Sequence, residues 1–251
     1  MVNKIKLFNK LNEKLDIWVE GKQDAEITVV FVHGFAVDKH ETARYFDDLS
    51  SSLNNNYRTV RFDFSGCGNS QGKLEEKDCL QWSKDLSVVI DFVKNKYKGE
   101  IYIFAQSMGC FVTALLSPDN IKKTVFTGIP NSNIKYIIDR LFSRFIKRPG
   151  GKLDLNGISI FPRSSGEIQK IGPSFWKVLK DFQPKEKVET YSKKTSLMIV
   201  HPLQDEVVGN EFLEVYSKIP NVIIKHLNGN HAFTKKEDRD ILIKEIENFL
   251  Q

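Results

Sequence analysis

Apolar residues recur along this chain in two alternating rhythms. Ile27–Val32 is a continuous run rich in β-branched residues, the pattern of a strand buried on both faces. Shorter strand-like runs lie at Ile5–Phe8, Leu15–Glu20, Tyr57–Phe62, Ile101–Phe104, Thr124–Thr127, Ser196–Val200 and Val222–Lys225. Between them fall segments with apolar residues at helical spacing: Glu41–Leu53, Lys77–Tyr97, Met108–Leu116, Glu211–Ser217 and Lys236–Leu250. Alternating strands and helices with apolar inner strands predict an α/β fold, a mostly parallel sheet covered by helices. Ligands of such sheets sit beyond the carboxyl ends of the strands, so the residues after each strand carry the functional argument.

The alternation breaks between Asn131 and Lys194, and a structureless loop of that length is improbable. Tyr136–Ile146 reads as an amphipathic helix carrying Ile137, Ile138, Leu141, Phe142 and Phe145, stopped by Pro149-Gly150-Gly151. Lys152–Phe161 alternates like a short hairpin, and Gly172-Pro173-Ser174 opens a further helix, Phe175–Phe182. The expected organisation is a core of residues 1–130 and 195–251, with residues 131–194 inserted as a cap over the sheet's carboxyl edge.

Composition narrows the function. The chain has 251 residues, 41% hydrophobic and 27% charged, enough for one large core. No apolar run approaches the roughly 18–20 residues of a membrane span, so no stable membrane insertion is expected. The stretch MVNKIKLFNKLNEKLD lacks the apolar segment of a signal peptide, which makes the cytoplasm the expected location. Cys67, Cys79 and Cys110 are scattered and lack C-x-x-C spacing, so they read as reduced thiols. The net charge of +5 comes without an arginine-rich tract or a nucleic-acid module, and no nucleic-acid partner is expected. Residues 131–194 hold 14 Lys+Arg against 6 Asp+Glu, a local +8 that offers either a solvated basic surface or steering of anionic substrates.

The strand ends supply the chemistry. Ile101–Phe104 runs into Ala105-Gln106-Ser107-Met108-Gly109 and then a helix. A nucleophile elbow needs this strand–turn–helix context, with small residues two before and two after the nucleophile. Ser107 is the candidate nucleophile, and a serine needs a base. His231, in the Gly229-Asn230-His231 loop before the last helix, is the candidate. Asp205, on the turn after Ser196–Val200, is the acid that would fix the imidazole tautomer, with Glu206 as competitor. His226 is expected to face a helix-covered side, and His201, which ends its own strand, to stand behind the reacting residues. An oxyanion needs preorganised donors, and the backbone N–H groups of Phe35, in His33-Gly34-Phe35, and Met108 are the two proposed. His33 reads as a structural residue bonding loop backbone. Asp63-Phe64-Ser65-Gly66-Cys67-Gly68-Asn69-Ser70 departs from G-x-G-x-x-G, because Gln71 stands at the last position, so it reads as a structural loop rather than a dinucleotide site. No metal cluster or cofactor motif appears.

Taken in order, His33-Gly34-Phe35, Asp63-x-x-Gly66-x-Gly68-x-Ser70, Ala105-x-Ser107-x-Gly109, Asp205 and His231 resemble the α/β-hydrolase superfamily. They are most similar to its small esterases, grouped with monoacylglycerol lipases, cinnamoyl and feruloyl esterases and serine aminopeptidase-like hydrolases. Ile160 to Gly166 and Pro173 to Trp176 are similar to caps of the cinnamoyl-esterase branch. Ala105 stands where Gly is commoner, Pro202 where relatives often carry Gly, and Cys67 where a larger residue is usual. The resemblance implies a serine carboxylesterase acting through an acyl-enzyme on short- to medium-chain or aromatic-acid esters. Phe142, Phe145, Phe161, Phe175 and Trp176 would divide between packing the cap and lining its pocket. Three other readings stay open: a thioesterase, an aminopeptidase-like hydrolase holding a substrate amine through Asp139, Asp154 or Glu167, and a non-catalytic ligand-binding relative.

Overall fold

The computed structural model describes residues 2–163 and 166–251, with only the backbone of Leu141, Phe142 and Phe145. Any pocket role for Phe142 and Phe145 therefore lies outside the described side chains. Eight strands form one sheet: β1 (Asn3–Phe8), β2 (Lys14–Gly21), β3 (Ile27–Val32), β4 (Arg58–Phe62), β5 (Glu100–Gln106), β6 (Ile121–Thr127), β9 (Ser196–Pro202) and β10 (Val222–Leu227). Their spatial order is β1-β2-β4-β3-β5-β6-β9-β10. β1 and β2 pair antiparallel, as do β2 and β4, and every later neighbour is parallel.

The side-chain period of two sorts β3 between two cores. Val30 and Val32 pack with α2 (Cys79–Lys96) and α3 (Met108–Leu116), through residues such as Leu86, Val89 and Phe111. Val29 and Phe31 pack on the other face with α1 (Tyr45–Leu53) and α8 (Lys236–Leu250), through Phe46, Leu49, Leu242 and Ile246. Burial on both faces explains why the inner strands read as unbroken apolar runs.

Several expected elements differ in extent. The segment from Glu41 enters α1 only at Tyr45, because Glu41, Ala43 and Arg44 hold positive φ and break the helix before it. Of Glu211–Ser217, only α7 (Glu214–Ser217) is helical. The expected hairpin at Lys152–Phe161 forms later. β7 (Ser159–Pro162) pairs with β8 (Ile168–Ile171), and Lys152 contributes one bridge to Ile160.

α4 (Ile134–Ile146) precedes this hairpin, and α5 (Pro173–Lys180) follows it. An unforeseen helix, α6 (Pro184–Ser192), comes next. α6 lies on the sheet: Tyr191 stacks on Phe126, and its hydroxyl bonds Thr124 at 2.7 Å. Among the described residues, no helix is long and apolar enough to cross a membrane.

Candidate active site

Ser107 stands between β5 and α3 with φ 53° and ψ −123°, a conformation that non-glycine residues rarely adopt. The sharp turn needs Gly109, since a Cβ there would lie 2.3 Å from the Val32 carbonyl oxygen. Ala105 is fully buried at the other small position of the turn. The Ser107 amide donates to the Thr127 carbonyl at 2.9 Å, which ties the elbow to the neighbouring strand. Strain held in this way is a mark of functional turns.

Asp205 follows β9 and is buried. Its Oδ1 accepts the Val207 and Val208 N–H groups at 2.9 Å each, which fixes the carboxylate on its turn. Its Oδ2 meets His231 Nδ1 at 2.7 Å. Glu206, the competitor, instead accepts the His231 backbone N–H at 3.2 Å. With Nδ1–H donating to Asp205, Nε2 is left to act as the base.

Burial pulls the His231 imidazole down. The charge and hydrogen bond of Asp205 outweigh this, with Glu41 and Glu206 adding to them, and hold its pKa above the usual histidine value. Ser107 and His231 line one cavity of about 110 Å³. Among the described residues, no hydrogen bond reaches the Ser107 hydroxyl in this conformation. Such bonds commonly tighten only when substrate arrives.

The same cavity is lined by Phe35 and Met108. Neither backbone N–H makes a hydrogen bond among the described residues, and Met108 opens α3, where helical amides lack partners. His33 is fully engaged: Nδ1 donates to the Gly34 carbonyl at 2.9 Å, and Nε2 accepts the Phe64 N–H at 3.0 Å. In the trans peptide this directs the Phe35 N–H away from the bonded carbonyl. The loop at 63–70 is held by its own polar groups. Asp63 accepts the Asn69 N–H and the ammonium of buried Lys39, both at 2.8 Å, and the Ser70 hydroxyl donates to the Asp63 carbonyl.

Three contributors had escaped the sequence reading. Glu41 lines the cavity and accepts the Gly34 N–H at 2.5 Å, whereas Asp139 is exposed, Asp154 pairs with Lys152, and Glu167 lines a second cavity of about 500 Å³. Gln106 is buried beside Ser107 and donates to the His231 carbonyl at 2.8 Å. Arg163 also lines the Ser107 cavity. Gln106 and Arg163 each touch partners more than a hundred positions away, and Glu41 reaches back seven residues to Gly34, so none of them carries a motif of its own.

His226 is exposed rather than helix-covered, because β10 is an edge strand. His201 is buried with both ring nitrogens unpartnered, and its ring lies 5.5 Å from that of His226. Cys110 follows Ser107 by three residues, but burial pushes its thiol far up, so it does not compete as a nucleophile. Among the described residues, no group of three or more His, Cys, Asp or Glu could hold a metal ion.

Comparison with known proteins agrees with this architecture. Residues 23–146 match the family model described as serine aminopeptidase, S33. A curated relative, the mitochondrial palmitoyl-protein thioesterase ABHD10 of Bos taurus, is 23% identical over 234 residues, 88% of this chain and 72% of its own. Est1E from Butyrivibrio proteoclasticus, solved with ferulic acid, superposes with a TM-score of 0.78 at 20% identity, covering 98% of this chain and 97% of its own. The mouse α/β-hydrolase domain-containing protein 10 does so with a TM-score of 0.70 at 18% identity, covering 99% and 98%.

Proposed function

We propose that this chain, whose fold is that of the α/β-hydrolases, is a serine carboxylesterase of that superfamily. One observation carries the reading: the 2.7 Å contact of Asp205 with His231 at a cavity that Ser107 also lines. In this mechanism His231 Nε2 takes the Ser107 proton as Oγ attacks the ester carbonyl. The Phe35 and Met108 amides bind the oxyanion, and His231 then protonates the leaving alcohol. Water, activated by the same imidazole, releases the acid.

The proposed partner is a small ester, and the cavity size supports the short end of the expected acyl range. About 110 Å³ is well below the roughly 300–1,000 Å³ of common ligand sites. Phe35, Val37, Met108, Pro130 and Val207 give it apolar walls suited to a short acyl chain or part of an aromatic acid. Of residues 131–194, the part before α6 is proposed as the cap that closes it, since α6 itself packs on the sheet. Three buried, unpaired cysteines suit a reducing compartment, and the cytoplasm is the proposed location.

The thioesterase name of the bovine relative favours a second reading with the same three residues. A panel of ester, thioester and amide substrates with acyl chains of rising length tests both. Fastest turnover of short oxygen esters is expected. Fastest turnover of long-chain thioesters would overturn the ester reading in favour of the second.

A further inference from the structure

The β7–β8 hairpin reaches onto the loop that carries the Phe35 amide. Gln169, on the buried side of β8, donates Nε2 to the Ala36 carbonyl at 2.6 Å. Arg163, just after β7, donates Nη2 to the same carbonyl at 2.6 Å and to that of Phe35 at 3.4 Å. The two side chains brace each other, since Arg163 Nε donates to Gln169 Oε1 at 2.6 Å. Ala36 holds a φ of 51°, a left-handed conformation that costs a non-glycine residue free energy. Two donors on one carbonyl help to keep it there. The Phe35 ring meets Phe161 of β7, Phe175 of α5 and Trp82 of α2.

The peptide that carries the Phe35 N–H is thus gripped from two sides. His33 and Glu41 hold Gly34 from the core, and the hairpin holds the next carbonyls. We infer that Arg163 and Gln169 are positioning residues that aim the Phe35 N–H at the oxyanion, so the inserted hairpin completes the catalytic site. The inference rests on the ester-hydrolysis reading. An oxyanion donor acts only if it is preorganised, and its bond strengthens as charge develops on the carbonyl oxygen. Loosening it should therefore lower kcat and leave KM nearly unchanged. A hairpin that only shaped the substrate pocket would change KM and acyl preference instead.

The test uses Gln169→Leu and Arg163→Met, assayed on a short-chain aryl ester and with a trifluoromethyl ketone inhibitor of matching acyl group. The inhibitor's adduct with Ser107 places an oxyanion at the Phe35 N–H. The expected result is a fall in kcat of roughly tenfold or more with KM within about twofold, and inhibitor affinity falling in step with kcat/KM. Arg163→Lys, which keeps a donor, should recover part of the loss. Gln169→Glu keeps the size but replaces the donor with an acceptor. It should show the same loss, which covers the case of a variant that fails to fold. Unchanged kcat in the folded variants, or a loss confined to KM, overturns the inference. Ser107→Ala separates the two claims. If it stays active, the hydrolytic reading fails; if it is inactive while the hairpin variants match wild type, only this inference fails.

Discussion

At the scale of single residues, the site is a balance of charges around one imidazole. In the proposed mechanism His231 serves as a base only when neutral, so activity is expected to fall as pH drops through its raised pKa. Glu41 contributes to that rise, although both its oxygens already accept backbone N–H groups, from Gly34 and Thr42. Glu41→Gln removes a negative charge, makes the imidazolium less stable and lowers the pKa. The acid limb of kcat/KM should therefore move to lower pH. An unmoved limb would show that Glu41 acts only on the Gly34 amide. Asp205→Asn should do more, because it also loses the hold on the tautomer, with a loss in kcat of about 10⁴-fold.

Among the elements, the elbow between β5 and α3 sets the tolerance of the site. Gly109 has its missing Cβ aimed at the Val32 and His33 carbonyls, at 2.3 and 2.7 Å. Neither backbone oxygen can yield without moving β3 or the loop at residues 33–35. Gly109→Ala should cost about 1–3 kcal/mol in a urea melt, with loss of activity beyond the unfolded fraction. A variant of wild-type stability would contradict the tight packing. This turn was legible in the sequence because its glycine and its strand–helix context are local. The strands were legible for the same reason, since each carries its own apolar run. The β7–β8 pairing was not, because its four-residue strands carry a weak pattern and its polar partners at Ala36 lie more than 120 positions away. α6 was missed because its sequence PKEKVETYS is mostly polar, and of its buried residues Pro184, Val188, Tyr191 and Ser192 only Val188 and Tyr191 carry a helical apolar signal. Residue partners such as Gln106 with His231, or Gln169 with Ala36, are more than a hundred positions apart and leave no local trace.

Across the whole molecule, one buried group links stability to pH. His201 lies at the end of β9, and burial lowers its pKa to about 4, with His226 adding repulsion and Asp205 opposing. The unfolded chain takes up a proton near the ordinary value of 6.5, whereas the folded chain resists until about 4. In that window the unfolded state binds more protons, so stability falls as pH falls, by about 3 kcal/mol at full extent. Its ring nitrogens have no partners to lose, so His201→Phe should be tolerated at neutral pH and flatten this part of the acid decline. Urea melts at pH 7 and pH 4.5 check this, and equal declines in the two proteins would refute it.

The central claim is that Ser107 is a nucleophile activated by His231 and Asp205. The most direct measurement is intact-protein mass spectrometry after exposure to a fluorophosphonate, with the adduct mapped by peptide sequencing. One adduct on Ser107 is expected, absent from Ser107→Ala and strongly slowed in His231→Ala. A folded protein that stays unlabelled, or that labels equally well after Ser107→Ala, would contradict it.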